Sequence, residues 1–276
     1  MIINHNLSSM TAYRNLTSNS AAQSKSMEKL STGLRINKAA DDAAGLAISE
    51  KMRAQIRGLD QAQRNAQDGI SLIQTAEGGL NETHSILQRM RELTVQAASD
   101  TNETQDRAAI KSELDELIKE IDHISDSTKF NGTTLFESTT TTFALQIGAT
   151  NDAADKMDLD LTKIQASASS LGVSSASITV SSNSFATQSL GYIDDAIKKV
   201  SEGRAYLGAN QNRLEHTISN LGTSSENLTA AESRIRDVDM AKEVMTNSKN
   251  NILSQAAQAM LAQANQQPQS VLQLLR

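Results

Sequence analysis

The stretch "IDDAIKKVSEGRAYLGANQNRLEHTISNLGTSSENLTAAESRI", Ile193–Ile235, decides the fold. Ile193, Ile197, Val200, Arg204, Leu207, Gln211, Leu214, Ile218, Leu221, Ser225, Leu228, Glu232 and Ile235 alternate at spacings of four and three over 43 residues. As one helix that run would be ~65 Å long at ~1.5 Å per residue. Spacing of this kind means helices packed along a shared seam. The polar members predict a place in a bundle rather than a simple dimeric zipper.

Working outward, Met52, Ile56, Leu59, Ala66, Ile70, Ile73, Leu80 and Leu87 hold a second helical register. Gly58, Gly69, Gly78 and Gly79 interrupt it, each at ~1 kcal/mol against Ala. A helix held by neighbours tolerates that, and a glycine lets a neighbour come close. Ile110, Leu114, Leu117, Ile121 and Ile124 mark a third helix, and the polar "ASDTNETQD", Ala98–Asp106, reads as the turn before it.

Between Phe130 and Phe185 the period changes. "FNGTTLF" carries an Asn-Gly turn signal. Phe143, Leu145 and Ile147, then Met157, Leu159 and Leu161, alternate with polar residues and predict a β-hairpin with one apolar face. The Ser/Thr-rich stretch Ser167–Ser189 lacks a period and is expected to be exposed. The fold class is therefore mainly α: long helices in coiled-coil and bundle packing, with one small β-hairpin region.

Both ends carry thin apolar stripes. Ile3, Leu7 and Met10 form one short seam, Met27, Leu30 and Leu34 another. Leu253, Ala257, Met260, Ala264, Gln267, Val271 and Leu274 keep alternating spacing toward the other end. Pro268 removes one helical hydrogen bond there, which predicts a kink or a weak turn. Val271, Leu272, Leu274 and Leu275 lie beside the last residue, where chains usually fray. Thin stripes make marginal helices alone. Paired with each other and with copies from other subunits they gain a reason to fold, so these residues are the expected subunit interface.

Composition narrows the function. Aromatics are 3% and Trp is absent, which suits thin helical seams better than a large globular core. The net charge of −6 argues against nonspecific nucleic-acid binding. Cysteine is absent, so no thiol chemistry or Cys-ligated metal is expected. No apolar run approaches a membrane span, and "MIINHNLSSM" lacks the features of a secretory signal. Neither a membrane nor a cofactor is implied. The histidines His5, His84, His123 and His216 have no zinc-site spacing. Asp152, Asp155, Asp158 and Asp160 lack the order of a calcium loop. Asp41-Asp42 reads as a helix start.

"KLSTGLRINKAADDAAGLAISEKM" (Lys29–Met52), "NAQDGISLIQTAEGGLNE" (Asn65–Glu82) and "LQRMRELTVQAAS" (Leu87–Ser99) resemble the N-terminal signatures of bacterial flagellin. "RAYLGANQNRLEHTISNL" (Arg204–Leu221), "NLTAAESRIRDVDMAKE" (Asn227–Glu243) and "QAMLAQANQQPQSVLQLLR" (Gln258–Arg276) resemble its C-terminal ones. The resemblance implies an inner domain of residues 1–43 and 236–276, a coiled coil lining a filament channel. It implies an outer rod of residues 44–235 with the hairpin region at about 130–185, and no further outer domains. "STGLRINKAADDAAG" would join the two, with Gly33 and Gly45 at helix breaks.

The implied function is structural, not enzymatic: a self-assembling filament subunit for swimming, exported unfolded through the flagellar type III apparatus and found outside the cell. Implied partners are itself, an export chaperone, the filament cap and the hook-junction proteins. An animal Toll-like receptor that senses flagellin would contact Gln88, Arg89, Leu93 and Glu113, on a face that also joins stacked subunits. A hook–filament junction protein, which shares the terminal helices, is the alternative. The peptidase insertion of some flagellins is not expected, since residues 137–189 contain no histidine.

Overall fold

The computed structural model describes residues 6–136 and 142–274, with the side chains of 267–274 left out of the description. Six α-helices and four short strands follow one another. They are α1 Leu7–Thr32, α2 Ala43–Ala97, α3 Thr104–Ser127, β1 Lys129–Phe130, β2 Thr133–Thr134, β3 Thr142–Gln146, β4 Lys156–Asp160, α4 Ala168–Leu171, α5 Asn183–Arg236 and α6 Met240–Leu274. The chain forms two compact units: a terminal unit of Met1–Ile56 with Glu226–Arg276, and a central unit of Arg57–Ser225.

The central unit has one apolar core. The 3-4 registers read from sequence supply it: Ile73, Leu80, Leu87 and Met90 from α2, Leu114 and Ile121 from α3, and Ile193, Leu207 and Leu214 from α5 are all nearly inaccessible. The chain turns between α2 and α3 at 98–103, where the backbone N–H of Glu103 donates to Asp106 Oδ2 at 3.2 Å and closes the first turn of α3.

The hairpin signals are realised twice. Asn131 (φ 48°) and Gly132 (φ 81°) both sit in the left-handed region and join β1 to β2, the turn that Asn-Gly favours. β3 and β4 pair antiparallel with Phe143 opposite Leu159 and Leu145 opposite Met157. The apolar face is thus common to both strands, and Met157 and Leu159 are buried. Asn65 of α2 donates from Nδ2 to the carbonyl of Gln146 at 3.0 Å, fastening the hairpin to the helix.

Ser167–Ser189 departs from expectation. Ala168, Leu171, Val173, Ile178, Val180 and Ala186 are buried in the core, and α5 begins at Asn183, ten residues before its apolar register becomes regular. The segment mixes one helical turn, bends and a helix start, so its apolar residues follow no single period. Its hydroxyls satisfy the backbone: Ser189 Oγ accepts the N–H of Thr179 at 2.9 Å and donates to its carbonyl at 2.8 Å. Serine here is internal wiring rather than solvated surface.

Adjacent glycines of α2 play different parts. A Cβ on Gly79 would lie 2.7 Å from the ring of Phe136, whereas one on Gly78 would meet nothing within 4 Å. Phe136 is 1% exposed and has no room to retreat. Gly79→Ala should therefore destabilise by about 1–3 kcal/mol through overpacking. Gly78→Ala should stabilise by about 1 kcal/mol through helix propensity. Urea unfolding followed by circular dichroism checks both; equal shifts of one sign contradict the packing.

Candidate assembly interface

Within the terminal unit α1 and α6 run antiparallel. Ser9 Oγ donates to Asn265 Oδ1 at 2.8 Å, Asn6 Nδ2 to the Ala264 carbonyl at 2.7 Å, and Asn247 Nδ2 reaches Met27 Sδ at 3.5 Å near the other end. Asn6 also caps α1 by accepting the N–H of Ser9, and Gly33 (φ 71°) ends it in the left-handed conformation.

The inward positions alternate at three and four. On α1 they are Ser9, Ala12, Leu16, Asn19, Gln23, Ser26 and Leu30; on α6 they are Glu243, Asn247, Asn250, Ser254, Ala257, Leu261 and Ala264. Only Leu16, Leu30 and Leu261 are large and apolar. The rest are small or polar, and few are fully buried.

The large apolar side chains lie elsewhere. Among the described residues, fourteen large hydrophobics are exposed, and eleven belong to this unit: Leu7, Met10, Tyr13, Met27, Ile48, Met240, Val244, Met245, Ile252, Leu253 and Met260. At ~1.5–3 kcal/mol for full burial of each, with about half their surface wet, roughly 8–16 kcal/mol is left unrealised. That matches the ~4–15 kcal/mol that association costs in lost freedom.

The structure places the seam residues read from sequence on different sides of the pair. Leu7, Met10, Met27, Leu253 and Met260 point outward, Leu30 and Leu34 are half-buried, and Ala257 is buried. Leu253-Ala257-Met260-Ala264 and Ser254-Ala257-Leu261-Ala264 satisfy the same alternation, and the chain uses the second within itself. Ile3 and Leu275 lie outside the described residues, as do the side chains of Val271, Leu272 and Leu274. The backbone of α6 stays helical through Pro268.

The two crossovers beside this pair are tied together. Leu34 and Asp237 form an isolated antiparallel bridge; Arg35 N–H donates to the Arg236 carbonyl at 2.6 Å, and Val238 N–H to the Gly33 carbonyl at 3.0 Å. Arg236 Nη1 lies 2.6 Å from Glu50 Oε1, and Arg53 Nε 3.7 Å from Glu232. Asp41 accepts Lys25 Nζ at 2.8 Å and the backbone N–H groups of Asn37 and Lys38 at 3.2 Å. The Lys25 hydrogen bond first, then the two backbone donors, hold its carboxyl down from 3.8 to about 2. Asp42 caps α2 through the Gly45 N–H at 2.9 Å. Gly45 itself lies inside the first turn of α2 rather than at a break. A Cβ there would come within 2.5 Å of Asp42 and 2.7 Å of Ile36, so its role is close approach.

On the central unit, Arg89 pairs with Glu113 at 2.9 Å and with Glu92 at 3.3 Å. Gln88 Nε2 lies 2.9 Å from His84 Nε2 on the same exposed face. Leu93 does not join them: it is 3% exposed and part of the core. The predicted foursome is thus an exposed trio, Gln88, Arg89 and Glu113, and one packing residue. Among the described residues no three His, Cys, Asp or Glu side chains are placed to share a metal, and no helix is long and apolar enough to cross a membrane.

Two expectations test these placements. Leu93→Ala should cost about 2–4 kcal/mol of stability, as a core truncation does, while Arg89→Ala should leave the melting curve unmoved; thermal melts of both variants check this. Because the Asp41 pKa is depressed on folding, its contribution is complete above about 3.8 and disappears as pH falls through about 2. A carboxyl-resonance titration should place the Asp41 midpoint near the lower value, and Asp41→Asn should remove this acid dependence.

The family model described as bacterial flagellin N-terminal helical region matches residues 3–141, and that described as bacterial flagellin C-terminal helical region matches residues 190–275. A flagellin of Halalkalibacterium halodurans is 62% identical over 276 residues, covering all of both chains. A flagellin of Bacillus subtilis is 54% identical, again with all of both chains covered. The flagellar filament 33 kDa core protein of Treponema phagedenis is 48% identical with the same coverage. These likenesses favour a filament subunit over a hook–filament junction protein. With paired terminal helices, a helical core and two family models spanning most of its length, the chain belongs to the bacterial flagellins, subunits of the extracellular flagellar filament.

Proposed function

We propose that the α1–α6 pair with its flanking segments forms the inner layer of the filament and that the outer rod includes the central unit. The observation that carries this is the α1–α6 pair: its own seam is small and polar while its large apolar residues face outward. Such a pair is poorly supported alone and gains most of its burial from other copies. The inner layer comprises residues 1–43 and 236–276, and the rod residues 44–235. Leu7, Met10, Met27, Leu253 and Met260 supply contacts between copies, with Ile3, Val271, Leu272, Leu274 and Leu275 added at the two ends. Leu30, Leu34 and Ala257 act mainly within the subunit.

The role is mechanical: stacked copies transmit torque along a tube. Export proceeds unfolded through the flagellar type III apparatus, to which a thin seam is suited because it opens at little cost. A chaperone covers Val271–Leu275 before export, and the filament cap and hook-junction proteins meet the chain at the filament ends. The exposed Gln88, Arg89 and Glu113 suit a contact between stacked rods, which a Toll-like receptor would read. Arg89 supplies the planar donor set common at such contacts.

Deleting Val271–Arg276 should leave the central unit with unchanged melting yet stop elongation from filament seeds. Electron microscopy and calorimetry check the two halves. A truncated chain that elongates normally removes these residues from the interface, and one whose central unit melts early places them in an intramolecular core.

A further inference from the structure

The α1–α6 pair has two unlike flanks and a back. On one flank Met10 and Tyr13 of α1 and Leu261 of α6 wall a groove of about 630 Å³, with Ser9 and Asn265 bonded across its floor and Arg14 at its rim. On the opposite flank Ala12, Ala257 and Met260 line a second hollow of about 410 Å³. The first groove lies one position beyond the inward set of α1, the second one position before it. Both are open; the first is mainly apolar and the second is lined by a mixture of apolar and polar side chains.

The back of α6 carries a ridge. Met245 and Ile252 are seven residues apart on one face, 67% and 66% exposed, and two residues removed from the inward positions 243, 247, 250 and 254. They are the exposed heptad pair on α6 that lines neither groove; Leu253 shares its face with Met260, which already walls the second hollow. The ridge points away from its own α1. It also lies along the helix from the groove by about twelve residues, roughly 19 Å. A copy therefore cannot fill its own groove with its own ridge.

We infer that the Met10–Tyr13–Leu261 groove of one copy is the socket for the Met245–Ile252 ridge of the next. The inference rests on the filament reading above and deepens it by naming the two faces that meet. A ridge on the back fitting a groove on a flank is a heterologous contact, which propagates as an open polymer unless its rotation closes a ring. Neighbours joined this way, pointing the same direction, are offset along the helix axis by roughly 20 Å. The socket supplies three apolar walls and the ridge two long apolar side chains one heptad apart, so both faces become dry together.

The absence of cysteine makes the test clean. One batch of chain carries Tyr13→Cys and another Met245→Cys; the two are mixed, elongated from wild-type seeds and oxidised. Within one copy Tyr13 is level with Leu261, so Met245 is some sixteen residues, ~24 Å, away. That exceeds the ~7 Å limit between bridged Cα atoms, and mixing separate chains forces any bridge to be intermolecular. The expected result is a covalent dimer in filaments, absent from monomer at equal concentration, whose bridged peptide maps to 13 and 245. Met10→Cys with Ile252→Cys should bridge likewise and serves if the first pair elongates poorly.

The double variant Met245→Ser, Ile252→Ser should raise the critical concentration for elongation at least tenfold with unchanged melting of the central unit. Filaments that form from the mixtures without either bridge, or a double variant that elongates normally, overturn the socket and leave the filament reading standing. Failure of the unsubstituted chain to elongate overturns the filament reading itself.

Discussion

The structure turns on one packing choice: α1 meets α6 through serine, alanine, asparagine and glutamine rather than through leucine. Across fourteen inward positions only Leu16, Leu30 and Leu261 bring bulk. Small residues let the helices lie close, but they bury little apolar area, and at ~25 cal/mol per Å² little burial means little stabilisation. Asparagine and glutamine add hydrogen bonds worth ~0.5–1.5 kcal/mol each, and they lose most when left without a partner. The pair is therefore held in register more than it is held together. On the proposed assembly, further stabilisation comes from neighbouring copies through the eleven large side chains that the seam does not use.

The central unit follows the opposite rule. Its core runs from Ala66 to Leu214 with large residues almost wholly removed from water. Such a core gains nothing from a neighbour and stands without one. On the proposed assembly, one sequence thus encodes two kinds of order, one intrinsic and one deferred to contact with copies. The clasp at Leu34–Asp237 lies in the deferred part. Its stability comes from backbone bonds and ion pairs, Arg236 with Glu50 and Asp41 with Lys25, together with the burial of Ile36. Exposed ion pairs contribute modestly and weaken with salt, so the clasp is responsive to solvent in a way the core is not.

Much of this was legible from the amino acids. The three long helices of the central unit were readable because large residues recur at strict spacings and have a single face to occupy. The β-hairpin was readable because alternation of Phe143, Leu145, Met157 and Leu159 has no helical reading. What escaped had physical causes. Ser167–Ser189 looked solvated because serine is usually exposed, and nothing in the pattern says that Ser189 will stand in as the hydrogen-bond partner of Thr179. The choice between Leu253–Met260 and Ser254–Leu261 as the inward set of α6 escaped because both share Ala257 and Ala264. Hydrophobicity favours the first, but a lone chain uses the second. Leu93 was grouped with Gln88 and Arg89 through the resemblance, and only its place in the helical register, three residues from the buried Met90, turns it to the core.

That choice between two faces of α6 carries the deeper lesson about polymers. In a self-contained protein the most apolar face of a helix points to the chain's own interior, since no other burial is available. In a chain that completes itself by association, the most apolar face is reserved for the partner and the intramolecular seam takes what remains. An inverted stripe, polar inside and apolar outside, is costly for a monomer in water and would be removed unless copies normally cover it. The same inversion explains why the two flanks and the back of the pair differ. A symmetric surface would favour closed dimers in which each patch meets itself, whereas unlike faces on one small unit can be satisfied only by successive copies. On the ridge-and-groove contact inferred above, growth without a natural stopping point follows from the placement of side chains on two helices.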